Sequence, residues 1–448
     1  MPVKISIIGA GSAVFSLNLI RDLCLTPNLR GSTISFMDID AERLDAAHTL
    51  CQRYADEVSN PLILEKTTDR RESLLGADFV INTALAAGHH RLRAGWDVAR
   101  RLGYRMGGSL HVMHDEAFWI NFYQFRLFES VIQDVLDICP DAWYLMVNNP
   151  VLSGVTYLSR KYPQAKVVGL CHGFTGVYHI ADVLGLDRER LTFEIPGVNH
   201  FVWLTHLYHD GQDVMPLLDE WIEAKAPQYW QTCAPSDDLG PKAVDLYRRF
   251  GVFPIGDTAT TGGGAWPWWY HTDDATEQRW HEDPMGWYNR YFADLETNVR
   301  RIREVGADMN CKVTEAFPAR KSGEVMAPLI ESIACDVPRV LIGNIANTGR
   351  FVPGVPDGFA VEIPLLVSKR GVEGIQTRGL PQAVVAYILR DRVAPVEVEL
   401  EAYEAGCKAL LLQLVMMDPW TRSIDQACKL VDEILALPYH EEMRQHYR

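Results

Sequence analysis

Short apolar runs alternate with longer amphipathic ones over residues 1–200. Lys4–Ile8, Thr33–Met37, Ala77–Thr83, Trp143–Val147 and Lys166–Leu170 are rich in β-branched and aromatic residues, the pattern of buried strands. Between them, Phe15–Cys24, Ala41–Val58 and roughly Glu116–Ile138 repeat apolar residues at helical spacing. Strand and helix in alternation predict an α/β fold, a Rossmann-type parallel sheet covered by helices on both faces. The pattern changes near Thr192. Strand-like stretches at Leu191–Ile195 and Phe201–Tyr208 lead into a Gly-, Thr- and Trp-rich loop over Asp257–Tyr270. Long helical patterns follow over Pro284–Glu304 and Pro381–Met417. The expected organisation is a nucleotide-binding domain over residues 1–195 and an α+β domain over 196–448.

Composition narrows the classes. The 448 residues are 48% hydrophobic and 23% charged, an ordinary globular balance that excludes a disordered or fibrous chain. A net charge of −15 repels phosphate backbones, so no nucleic-acid partner is expected, while a local basic pocket for a small anion stays open. Nine cysteines without a CxxC pair fit neither a disulfide framework nor a structural zinc site. Reduced thiols in a cytoplasm fit best. No apolar run approaches the roughly 20 residues of a membrane span, and the N-terminus lacks the basic and long apolar regions of a signal peptide.

Gly9-Ala10-Gly11-Ser12 follows the first strand and opens the first helix. Glycines there let backbone N–H groups approach a pyrophosphate at the helix N-terminus. The third small residue of the usual fingerprint is replaced by Val14. The second strand ends at Asp38, placed to accept hydrogen bonds from a ribose diol and to repel a 2′-phosphate, which favours NAD over NADP. Three further segments end strands. In Asn148-Asn149-Pro150 an asparagine can bond the substrate or the nicotinamide ribose. The others are Cys171-His172-Gly173-Phe174 and Gly197-Val198-Asn199-His200. A thiolate and an imidazole make a borderline metal-ligand pair. Taken alone, however, Cys171 reads as a buried core thiol and each histidine as a structural one.

In this order the segments resemble glycoside hydrolase family 4, together with Asn344-Ile345-Ala346-Asn347-Thr348-Gly349, and the resemblance spans essentially the whole chain. It implies a lactate/malate dehydrogenase-like fold, NAD, and a divalent metal, usually Mn²⁺. It further implies that Cys171 and His200 hold the metal, that Gly9, Gly11, Ser12, Asp38 and Asn148 hold NAD, and that Asn149 contacts substrate hydroxyls. Asp115 looks like the family's substrate-binding acid and His172 like a substrate contact. Residues 196–448 would supply substrate, metal and oligomer contacts, in a homodimer or homotetramer. A Cys-His-Gly start resembles the α-glucuronidase branch, where Cys-His-Glu-Val or Cys-His-Ser-Val marks α-glucosidases and α-galactosidases. A uronate needs a cation, for which Arg320 and Lys321 are candidates against a plain solvated loop pair. The family's Asp-Arg-His-x-x-Glu run is replaced here by Asp257-Thr258-Ala259-Thr260-Thr261-Gly262.

The implied chemistry departs from two-carboxylate hydrolysis. NAD takes hydride from sugar C3, the new ketone acidifies C2–H, and the metal stabilises the enolate. A base removes the C2 proton; Asp257 is favoured over Tyr270. The C1–O bond breaks, water adds and the hydride returns. The expected activity is hydrolysis of α-glycosides, first α-D-glucuronides, with α-galacturonides and α-glucosides as alternatives. From other classes, a 2-hydroxyacid dehydrogenase and a non-catalytic NAD sensor remain. A dehydrogenase has no use for Cys171 beside its histidine. The Trp266–His271 run suits either a sugar platform or a packed or oligomer contact.

Overall fold

The computed structural model describes residues 1–448. Six parallel strands form: Lys4–Ile8 (β1), Thr33–Met37 (β2), Ile63–Thr67 (β3), Phe79–Asn82 (β4), Trp143–Met146 (β5) and Lys166–Gly169 (β6). Five answer the expected apolar runs; β3, Ile-Leu-Glu-Lys-Thr, was not expected and is the largely exposed edge strand. Their order is β3-β2-β1-β4-β5-β6, the doubly wound arrangement whose crevice lies beyond the strands' carboxyl ends. Ile5 pairs with Ile34 on one side and Phe79 on the other, and Ile5, Ile34 and Ile81 are fully buried. The helix expected from Glu116 begins instead at Phe118, and Ala117 precedes it in extended conformation. Glu116 is thereby left in the loop that faces the crevice.

Leu191–Glu194 (β7), Gly197–Val198 (β8), Phe201–Leu204 (β9), His206–His209 (β10), Gln212–Asp213 (β11), Phe253–Pro254 (β12), Arg339–Ala346 (β13), Ala360–Ser368 (β14) and Gly371–Gly374 (β15) complete the strands. The sheet continues past β6 as β13-β14-β8-β9-β12, all antiparallel pairs, with β15 on the flank of β14. One sheet therefore crosses residue 195 unbroken. The single strand expected over Phe201–Tyr208 is two. At Thr205 both the backbone N–H and the hydroxyl donate to the Glu194 carbonyl, and the chain leaves the large sheet for the small β11-β10-β7 sheet.

The long helical pattern after Pro381 is likewise divided. Gln382–Ile388 runs through a π-helical turn, Leu389–Val393, into Ala394–Ala405. Pro395 lacks the N–H an α-helix would use, and the widened turn accommodates that gap. Gly406, at φ +60°, ends the helix.

A buried ion pair pins the Trp-rich loop. Lys242 Nζ lies 2.7 Å from Glu282 Oε2, which also accepts from Ser236 Oγ, and His271 stands 3.3 Å from the ammonium. Burial and the Lys242 charge push His271 down to about 3, so it stays neutral. Glu282→Ala would strand the ammonium in the interior. It is expected to cost about 3–5 kcal/mol of stability, read as a lower urea midpoint with unchanged slope.

Candidate active site

The carboxyl ends of β1, β4, β5 and β6 open on a cleft of about 450 Å³. Ser12, Asn148, Asn149, Asp115, Cys171, His172, His200 and Asp257 all line it, so the fold brings most of the sequence candidates together. Gly9 sits at φ +89° with its Cα against β4. A Cβ there would fall 2.7 Å from the Ala84 backbone. The Gly11 N–H donates to Asp38 Oδ2 at 2.8 Å, and a Cβ on Gly11 would meet that oxygen at 2.6 Å. Bare backbone, a helix N-terminus at Ala13 and an acid at the end of β2 suit a dinucleotide. Asn148 Nδ2 donates to the Ala84 carbonyl at 2.6 Å. Its Oδ1 is buried without a protein partner, as an acceptor kept for a ligand would be.

The chemical centre joins three distant segments. Cys171 ends β6, His200 occupies the tight turn between β8 and β9, and Asp257 lies on the short 3₁₀ turn Gly256–Thr258. Cys171 Sγ and His200 Nε2 each lie 3.6 Å from Asp257 Oδ2, and the three donor atoms lie within 4.8 Å of one another. Thiolate, imidazole and carboxylate together suit a borderline divalent ion such as Zn²⁺ or Mn²⁺. Thr258 ties the turn to β9, its hydroxyl accepting from the Val202 N–H and donating to the Val202 carbonyl. Buried Arg392, on the π-helical turn, donates to the carbonyls of Gly263, at 3.1 Å, and His200, at 3.5 Å. It holds His200 in its left-handed conformation, φ +57°.

Electrostatics favour a bound cation. Burial, then the carboxylates of Glu362 and Asp257, push the Cys171 thiol up to about 11. A divalent ion would reverse that by stabilising the thiolate. Burial works against a charged His200, but the buried Glu116 carboxylate outweighs it and holds the imidazole well above its usual range. Glu116, overlooked among the sequence candidates, lies with Oε1 3.0 Å from His200 Nδ1. Glu324 and Arg392 were equally hidden, because only tertiary packing brings them here.

Three candidates lie elsewhere. Tyr270 is buried outside the cleft, its hydroxyl donating to Asp245 Oδ2 at 2.6 Å, so the geometry offers Asp257 alone of the two bases. Arg320 is exposed and outside the lining, and Lys321 faces a neighbouring cavity. No lysine or arginine lines the cleft. His172 Nε2, 2.5 Å from Glu324 Oε1, is the imidazole whose basicity a carboxylate raises at the rim. The Trp-rich loop is packing: Trp266 is buried against Phe201 and Trp203 and donates to Asp391. Phe15, Phe174, Trp287, Tyr288 and Tyr291 supply the cleft's aromatic surface instead.

Comparison with known proteins identifies the family. The chain is 26% identical to an α-glucosidase of Erwinia rhapontici, with 97% of each chain covered. It is 24% identical to an α-galacturonidase of Thermoanaerobacterium saccharolyticum, covering 97% of this chain and 95% of that one. A 6-phospho-α-glucosidase from gut microorganisms, solved in complex with NAD and Mn²⁺, superposes with a TM-score of 0.82 at 19% identity over 100% of this chain and 99% of that one. The lactate dehydrogenase of Eimeria maxima superposes at 0.54 and 13% identity, over 91% of this chain and 96% of that one, in keeping with the expected fold. The family 4 glycosyl hydrolase model matches residues 4–186, and the model of that family's C-terminal domain matches residues 195–421. The chain belongs to the family 4 glycosyl hydrolases, and is a glycosidase built on a dehydrogenase fold.

Proposed function

We propose that this enzyme hydrolyses α-glycosides with NAD and a divalent metal, Mn²⁺ first, as bound catalysts and without net oxidation. The observation that carries the reading is the meeting of Cys171, His200 and Asp257 within 4.8 Å, in the same cleft as the orphaned Asn148 carbonyl oxygen. When bound, NAD supplies a reversible hydride acceptor and the metal a Lewis acid. Gly9, Gly11, Ser12, Asp38 and Asn148 would hold the dinucleotide, and Cys171 and His200 the metal. Asn149 and Asp115 would fix sugar hydroxyls. Asp257 would take the C2 proton, since its carboxylate already stands beside both metal ligands. The aromatic wall at Trp287 and Tyr291 would cover the sugar's apolar face.

For the sugar, the Cys171-His172-Gly173 start supports an α-D-glucuronide, with His172 in place of Arg320 as the cation for its carboxylate. A neutral α-glucoside or α-galactoside is the second reading, favoured by the lack of lysine and arginine in the cleft. A homodimer or homotetramer in the cytoplasm belongs to the same proposal. The test is release of an aryl group from α-glucuronide, α-galacturonide, α-glucoside, α-galactoside and 6-phospho-α-glucoside under reducing conditions. Hydrolysis that disappears without NAD or with EDTA, and leaves no net NADH, supports the mechanism and identifies the sugar. Turnover of only neutral glycosides overturns the uronide reading. No hydrolysis, with NADH formed from a 2-hydroxyacid, overturns the glycosidase mechanism.

A further inference from the structure

His200 has two ring nitrogens with opposite neighbours. Nε2 faces Asp257 and Cys171; Nδ1 faces Glu116 at 3.0 Å. Glu116 and His200 are each at most 4% exposed, and Glu116 Oε1 and His200 Nδ1, the two atoms that face each other, are otherwise buried without any hydrogen bond to the protein. The Glu116 backbone N–H is itself directed at His114 Nδ1, whose other nitrogen bonds the Gly262 carbonyl at 2.9 Å on the Asp257 loop. His111 and Glu399, 3.4 Å apart, form a second buried pair near Glu116.

We infer that Glu116 is a positioning residue for the metal site: it accepts the Nδ1 proton of His200, fixes that tautomer and turns the Nε2 lone pair toward Cys171 and Asp257. The inference rests on the reading of Cys171 and His200 as metal ligands. An imidazole can present a lone pair at only one nitrogen while the other carries the proton, so a buried acceptor on one side selects the ligating atom on the other. Such an outer carboxylate also raises the basicity of the ligand, and its loss costs about 10–100-fold in metal affinity. A merely structural ion pair would lower stability and leave metal affinity alone.

The full-length protein, reduced and loaded with NAD, would be titrated with Mn²⁺ while electron paramagnetic resonance follows the free ion. E116A is expected to bind Mn²⁺ about 10–100-fold more weakly, with NAD affinity unchanged. E116Q, whose amide oxygen still accepts from Nδ1–H, is expected to recover most of that loss. Mn²⁺ affinity of E116A within threefold of the unaltered protein overturns the inference. Absence of Mn²⁺ binding by the unaltered protein overturns the metal reading first, and this one with it. A measurement needing no variant is the ¹⁵N spectrum of His200 in the ¹¹³Cd²⁺-loaded protein. Protonated Nδ1 and cadmium-coupled Nε2 are expected; the reverse tautomer overturns the assignment even if E116A does not fold.

Discussion

Replacing Cys171 by serine is expected to lower kcat by about 10²–10³-fold, the scale of losing one preorganised electrostatic group, and to weaken Mn²⁺ binding while leaving NAD affinity intact. A serine hydroxyl is nearly the same size but does not ionise near neutrality, so the soft anionic donor disappears from the triad of Cys171, His200 and Asp257. The substitution lies at the end of β6, beyond its last paired residue Gly169, so the sheet should be untouched. Steady-state kinetics with NAD and Mn²⁺ varied separately would check this. A buried thiol outside the cleft gives the control. Cys24 is pushed up to about 12 by burial in the core, far from the cleft, and its replacement by alanine should change stability only. Equal kcat for Cys171→Ser and the unaltered enzyme would remove the thiol from the mechanism.

Gly173→Ser is expected to lower kcat about 100-fold with little change in melting temperature or NAD binding. A Cβ on Gly173 would lie 2.9 Å from Asp257 Oδ2 and 3.3 Å from its Cγ. The carboxylate is enclosed on its other side too, since a Cβ on Gly262 would lie 2.8 Å from Asp257 Oδ1. A side chain at 173 would have to move the carboxylate, and a shift of roughly 1 Å in a reacting group costs about 10² in rate. Retention of kcat would show that Asp257 is not the base. In this packing Asp257 occupies the space a side chain at 173 would need.

Five of the six parallel strands were legible because buried parallel strands are written as continuous apolar runs; the exposed edge strand β3 carries no such run. The antiparallel extension was not legible. Pro364 interrupts β14, and a proline inside an apolar run argues against a central strand. Its partner Ile342 lies in β13, whose outer residues Arg339 and Val340 break any clean alternation. At the site, Cys171, His200 and Asp257 could be named from motifs. Their proximity could not, since it depends on Thr258 clasping Val202 and Arg392 reaching across from the helix after Pro381. Glu116 was concealed by the helix pattern that seemed to include it. Tyr270 and Arg320 had the right chemistry in the wrong place, one held by Asp245 and the other facing solvent.

The unbroken sheet across residue 195 has a mechanical consequence. The strand bearing Cys171 is hydrogen-bonded on one flank to β5, which leads into Asn148 and Asn149, and on the other to β13. From β13 the ladder passes through β14 to β8 and the His200 turn. Bending the parallel half away from the antiparallel half would break those rungs, so the sheet resists a hinge between them. On the proposed mechanism the distance between cofactor and sugar is then set by backbone spacing, and access to the cleft is granted by the rim, where His172 meets Glu324 and the Trp287–Tyr291 helix overhangs the cleft.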